Sequence, residues 1–583
     1  MDRRQVLIGA AAALGLPHVG LAAGPGSGDA ALARLLDEHA RALRDEAGTA
    51  DRLRDYSMAA RAAAGRAARL RLAQLDAIRR QDLSAASAID HDVARFVQQA
   101  LTDQYARYGS SDINLRPSPY VVSQMNGAYY WLPASLARRP LSAGDGQSPY
   151  LDALGQLARA LDQETAQIGH DAQLGVVPPR FILAKTLRQI AQLRDTPLAQ
   201  NPLTAPAIAG APAGFEAKVT QAFERQVAQA LTRQIEALEA MRPKADDRAG
   251  VWAQPGGAAY YASALSSNTT TSYDPAELHA RGLQWVEAIT AQIDVALRAE
   301  GLREGSIAQR MAALDRDPRF VVADSDAGRA RILDYARGCL RKAQALTPRA
   351  FHLTPDDPVE VSRVPVAIEN GAPGASYSGS DDPARKPSVT INLRSTAENA
   401  LWRLPTLLHH EGVPGHHFQA SVLRRAGSLS PFRRTVRFSA WTEGWALYAE
   451  QLADEIGAYE DNPPGRIGYL QGQLFRACRV VVDTGLHHAR WTREQAIAWM
   501  VEHAGEQPDA AEREIDRYCV YPGQACSFMV GKAQIVASRE AARKTLGARF
   551  DLRAFNDLVL GSGPLPMAVL DRLVADWAAT QRS

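Results

Sequence analysis

The chain has 583 residues, 46% of them hydrophobic and 22% charged, the balance of an ordinary folded protein. Its formal net charge of +2 gives no electrostatic case for binding nucleic acid or an anionic membrane surface. The four cysteines, Cys339, Cys478, Cys519 and Cys526, allow several pairings: Cys519 and Cys526 are close enough for one bridge, and buried free thiols are the equal alternative.

The first 23 residues read as a targeting segment and not as fold. Arg3-Arg4-Gln5-Val6-Leu7 matches the twin-arginine pattern, an uncharged run follows from Val6 to Leu16, and Gly20-Leu21-Ala22-Ala23 offers small-residue cleavage positions. The run is about half of the ~20 residues a spanning helix needs. The expectation is therefore a periplasmic or otherwise exported protein, with no stable membrane insertion once the signal is cleaved. The lack of a cysteine near the cleavage region argues against a lipid anchor.

Residues 24–214 form an N-terminal helical region and residues 215–583 the catalytic region, and the two can make one continuous helical body. From Ala30 to about Ile190, Ala, Leu, Arg and Gln dominate, with apolar residues at three- and four-residue spacing. Asp51 is a candidate cap in this stretch. Arg116 to Pro133 is irregular and aromatic, with Tyr120, Tyr129, Tyr130 and Trp131 read as core packing. Asn201 to Gly214 reads as a linker or long surface loop. Helices are predicted again over Phe215 to Met241, from Asp274-Pro275 to Arg298 (an N-cap Asp with Pro in the first turn), and from Asp326 to Ala345. Val359 to Val366 and Ser388 to Arg394 alternate as strands do, separated by a Gly-rich stretch, and helices return from Thr396 to the end. The predicted architecture is mainly α: a large helical body of the zincin metallopeptidase type with one small β-sheet beside the active site. The second strand would be an edge over the cleft.

The chemistry concentrates in Leu407-Leu-His-His-Glu-Gly-Val-Pro-Gly-His-His417 and in Trp441-Thr-Glu-Gly-Trp445. Buried imidazoles are costly unless paired or bound to a metal. In an HExxH zinc helix, two histidines four apart hold the metal and the Glu beside the first polarises a water. His410-Glu411 supplies the first half, but the residue four further on is Pro414. Proline has no amide for the His410 carbonyl and its ring clashes there, so a regular helix should not run through. Either Pro414-Gly415 bulge and His416 becomes the second ligand, or a near-regular helix brings His417 round; the bulge is what Pro-Gly should cause, which favours His416. His409 and the other of this pair are candidates for supporting contacts to the ligands. Glu443 is the best third ligand, and Glu450, seven residues on, lies on nearly the same helical face.

Further on, Asp483 and His487 are four apart; Asp483 could orient a ligand histidine and His487 could stabilise an oxyanion. Tyr518 and Tyr521 offer oxyanion donors. Arg517 and Lys532 are suited to a substrate carboxylate, and Asn392 and Gln524 to its polar groups.

These segments resemble a bacterial family named for a domain of unknown function, number 885. The likeness rests on His410-Glu-Gly-Val-Pro-Gly-His-His417, Trp441-Thr-Glu-Gly-Trp445, Val482-Asp-Thr-Gly-Leu-His487, Arg517-Tyr518 through Pro522-Gly-Gln524, and Tyr260-Tyr261 to Thr269-Thr-Thr. It implies a gluzincin-like helical body, bound zinc, and exported or lipid-anchored members. The resulting expectation is an exported zinc peptidase in which Glu411 activates a zinc-bound water and short peptides are the partners. C-terminal trimming follows if Arg517 or Lys532 reaches the cleft. A zinc hydrolase of a non-peptide amide or ester, and a zinc-containing peptide binder without turnover, are the rivals.

Overall fold

The computed structural model describes residues 27–582 apart from 49–51, 112–113, 137–138, 140, 142–147, 211–213, 367–368, 370–371, 380–385 and 428. The twin-arginine segment and Asp51 lie outside the described residues. No helix among the described residues is long and apolar enough to cross a membrane.

The described residues are mainly helical, with one small three-stranded sheet and a two-residue ladder that pairs Ser110–Ser111 with Pro117–Ser118. The elements that build the site are α1 (Gly257–Thr269), α2 (Pro275–Ala299), the strands β1 (Glu360–Arg363), β2 (Ala375–Ser378) and β3 (Ser388–Ile391), then α3 (Leu404–Glu411), α4 (His416–Arg425), α5 (Ser439–Glu455), α6 (Pro463–His487), α7 (Pro508–Val520) and α8 (Ser527–Leu546). Local signals start several of them. Asp274 caps α2 by accepting from the amides of Ala276 and Glu277, with Pro275 in the first turn. Asn462 caps α6 by accepting from Gly465, ahead of Pro463 and Pro464.

Three large hydrophobic cores and a small one around Val251, Tyr260, Tyr261 and Ala264 hold the described residues together. One brings Leu36 and Val97 of the N-terminal helices against Leu404, Leu408, Trp445 and Leu570. A second is the contact of α2 with α6, through Ile293, Leu297, Val480 and Val481. A third lies within residues 121–245. Leu36, Ala68 and Val97 of the N-terminal helices thus share one core with Val361 and Val389 of the sheet and Leu408 of α3. Asn201, Leu203, Thr204 and Ala207 are buried, so the expected linker is packed structure at its start, held by Tyr150 donating to the Leu203 carbonyl at 3.1 Å.

The sheet corrects one expectation. β3 is the central strand, parallel to β1 and antiparallel to β2, in the order β1-β3-β2. Both of its edges are paired, so it has no free edge for adding a substrate strand. The outer strand beside α3 is β2. All four cysteines are free thiols, three of them buried, which decides against a Cys519–Cys526 bridge.

Candidate metal centre

The break in the histidine helix is real and local. α3 ends at Glu411 and α4 begins at His416. Between them, the amides of Gly412 and Val413 both reach back to the Leu408 carbonyl. Gly415 is needed for close approach, since a Cβ there would sit 1.9 Å from the His410 carbonyl oxygen. The bulge is clamped by Trp445, whose indole N–H donates to the Pro414 carbonyl at 2.9 Å.

The result brings His410 and His416 together with their rings nearly perpendicular, centroids 5.0 Å apart. Glu443 of α5 faces both: its Oε2 is 3.7 Å from His410 Nε2 and 3.4 Å from His416 Nε2. The three donor atoms lie within 4.8 Å of one another. α5 can come this close because Gly444 meets Gly531 of α8, where a Cβ would be 2.6 Å from backbone. His410 Nδ1 is 2.8 Å from Glu450 Oε1, and Gln473 donates to Glu450 Oε2 at 2.9 Å. That arrangement fixes the His410 tautomer with Nε2 turned to the cluster.

Electrostatics favour a cation here. Burial pushes the His410 imidazolium down, yet its bonds to Glu443 and Glu450 raise it to about 9. Burial pushes the Glu443 carboxyl up, but His410 and His416 hold it well below the usual carboxylate range. Two imidazole nitrogens and a carboxylate oxygen are the donor set zinc takes in catalytic sites, with one position left open. His410, His416 and Glu443 are thus the residues that could hold the metal. Glu411, the last residue of α3, is half-buried and has no side-chain partner among the described residues.

His417 points elsewhere. Its Nε2 is 2.8 Å from the Asp357 carbonyl and its Nδ1 3.4 Å from the Tyr377 hydroxyl of β2, so it ties α4 to the sheet region instead of supporting a ligand. His409, too, bonds the bulge and not a ligand: Nδ1 lies 3.1 Å from the Val413 carbonyl.

The remaining predicted residues are only partly brought to the centre, and most are spent on one another. His487 is buried with Nδ1 accepting from the Val251 amide at 3.0 Å and Nε2 at 3.1 Å from the Tyr518 carbonyl, so neither nitrogen is available to an oxyanion. Asp483 accepts from the Tyr261 hydroxyl and the Gly523 amide, so it orients neither His410 nor His416; the carboxylate at His410 Nδ1 is that of Glu450. Burial lifts the Asp483 carboxyl to about 7. Tyr521 donates to the Met125 carbonyl and lies under Arg116, facing the N-terminal region. Tyr518 and Arg517 both donate to Glu514 Oε2 at 2.7 Å, and Arg517 also donates to Gln524 at 2.6 Å. Asn392 donates its amide to the carbonyls of Glu369 and Ala372, which precede β2, and accepts from the Arg394 amide, so it is spent on backbone. Lys532 is half-buried next to the Gly444–Gly531 crossing; burial draws its ammonium down to about 8 against the pull of Glu450 and Glu455. Two residues of the site escaped the sequence: Glu514, whose spacing of three and four before Arg517 and Tyr518 was the available signal, and Phe528, stacked on His410 with centroids 6.3 Å apart, which had none.

The sequence matches the family described as "Bacterial protein of unknown function (DUF885)" over residues 38–574. The chain belongs to that family. It is similar to a crystal structure titled as the "putative lipoprotein" from Colwellia psychrerythraea, at 30% identity and a TM-score of 0.88, covering 95% of this chain and 100% of that one. A "putative lipoprotein of unknown function" from Shewanella oneidensis shares the fold at 16% identity and a TM-score of 0.69, with 94% of this chain and 99% of that one covered. A search of curated proteins gave no match.

Proposed function

We propose that this protein is an exported zinc-dependent peptidase acting on short peptides. The observation that carries the reading is the convergence of His410, His416 and Glu443 beside an unpartnered Glu411. When bound, zinc supplies a Lewis acid that acidifies water and polarises a carbonyl. Glu411 takes the proton of the attacking water and hands it to the leaving amine, the general acid–base role that a carboxylate adjoining the first ligand performs. Glu450 keeps His410 in one tautomer, and the Trp445 clamp keeps His416 facing it. Export is supported by the descriptions of the two similar structures as lipoproteins. β2, as the outer strand, replaces β3 as the element suited to aligning an extended peptide.

The test is a defined peptide library incubated with zinc-loaded protein, with products read by mass spectrometry, alongside Glu411→Gln. The expected result is cleavage by the native chain and loss of turnover in the variant with zinc retained. Undiminished turnover in the variant overturns the role of Glu411. A protein that takes up no stoichiometric zinc after reconstitution overturns the whole reading, and peptide binding without cleavage favours a binder.

A further inference from the structure

α6 carries a cation that the proposed reaction does not yet use. Arg479 is only 4% exposed, and its Nε and Nη2 are buried with no hydrogen-bond acceptor. Its guanidinium sits in a box of three aromatic rings, 4.0 Å from the centroid of Phe528, 5.6 Å from Tyr518 and 5.7 Å from Phe475. Phe528 is also the ring that stacks on His410, so the guanidinium and a candidate metal ligand touch the same side chain. Glu514 attracts Arg479, but its carboxylate bonds Arg517 and Tyr518. Next to it on the same helix, Arg476 also has a buried Nε without an acceptor.

Burying a cation without an acceptor is expensive, and ring faces offset only part of the cost. Which atoms are left unpaired matters. Nε–H and Nη2–H of an arginine point the same way and form the fork that grips a carboxylate with two parallel bonds. This chain uses that fork elsewhere: Arg363 holds Glu369 with Nε at 2.6 Å and Nη2 at 2.8 Å, and Arg403 holds Asp315 at 3.0 and 2.8 Å. At Arg479 the same fork is present and no carboxylate among the described residues fills it. Arg517, the expected carboxylate receptor, has both Nη atoms taken by Glu514 and Gln524.

We propose that the Nε–Nη2 fork of Arg479 receives the free α-carboxylate of a peptide whose scissile bond lies at His410, His416 and Glu443. The half-buried Phe475 and Arg476 border the box toward the surface. The proposal rests on that cluster being the reaction centre, and it makes the enzyme one that trims peptides from their C-termini.

Calorimetric titration of the full chain, with and without zinc, tests it using N-acetyl-Ala-Ala, its C-terminal amide, and N-acetyl-Glu amide as a side-chain acid. The native protein should bind the free dipeptide acid about tenfold or more tighter than the amide. In Arg479→Met that preference should vanish, with zinc stoichiometry unchanged and a thermal midpoint no lower than native, because the variant removes an unpaired buried charge. Arg479→Lys, which keeps the charge without the fork, should fall between and serves if the Met variant does not fold. Equal affinity for acid and amide, no binding of either, or a preference that survives both substitutions overturns the proposal. A side-chain acid bound as tightly as the α-carboxylate overturns the assignment to C-termini. An acid preference in a protein that binds no zinc would leave Arg479 as a receptor and remove the peptidase reading instead.

Discussion

Glu450→Gln isolates what the buried carboxylate behind His410 contributes. Glu450 is wholly buried, its Oε1 2.8 Å from His410 Nδ1 and its Oε2 held by Gln473, so solvent does not screen it. Gln keeps the shape and an acceptor for His410 and removes the charge. A partner of this kind is worth about 10- to 100-fold in metal affinity, or about 1.4–2.8 kcal/mol. A second effect opposes the first. Without metal, burial pushes the His410 proton off while Glu443 and Glu450 hold it, raising the group to about 9. At pH 7 zinc must therefore displace a proton at a cost of about 3 kcal/mol. Removing the Glu450 charge lowers that cost, so the variant's deficit is partly hidden at pH 7. Above pH 9 the proton is gone in both proteins and only the lost carboxylate remains. Competition against a zinc chelator, run from pH 7 to 9.5, should show the ratio of variant to native Kd rising with pH to the full 10- to 100-fold. A ratio of one at every pH would falsify the idea that Glu450 supports a metal ligand.

The two histidines after Gly415 should separate cleanly: His416→Ala abolishes stoichiometric zinc binding, whereas His417→Ala keeps it and costs about 1 kcal/mol of stability through the lost contact with the Asp357 carbonyl. Zinc analysis with chemical denaturation reads both, and the opposite pattern sinks the assignment. Beside the Ala128 amide, burial lifts the Glu164 carboxyl to about 8, although that amide and Gln234 favour its charged form. The stability that the protonated group provides is complete below its ordinary 4.5 and lost as pH rises through 8, by up to roughly 5 kcal/mol. Glu164→Gln, neutral throughout, should match the native protein at pH 4 and exceed it at pH 9 in urea unfolding; coincident curves at pH 9 would rule the shift out.

What could be read in the sequence was what is decided locally. Asp274-Pro275 starts a helix because the cap and the missing amide act within one turn. His416 was preferable to His417 because Pro414 cannot donate to His410, a constraint written in four residues. What could not be read was where polar groups spend their bonds. Arg517, Tyr518 and Gln524 have the right chemistry for substrate, yet they satisfy Glu514 and one another. His487 is committed to backbone groups 236 and 31 residues away, and no local pattern announces that. The rank of β3 as the central strand depends on β1 and β2 arriving from either side, which alternation along one strand does not encode.

The same distinction explains how His410 and His416 meet despite a broken motif. In an unbroken helix, register alone would hold both histidines to one face. Here α3 and α4 each bring one, and their relative placement needs an outside reference. α5 provides it. Glu443 faces both rings, Trp445 ties down the Pro414 carbonyl between them, and Glu450, two turns on, fixes the tautomer of His410. Gly444 then lets this helix press against α8, which carries Phe528 to the outer face of His410. The break at Pro414 moves the burden of aligning the two histidines from helical register to α5, and for that reason Trp441-Thr-Glu-Gly-Trp445 has to accompany the histidine segment.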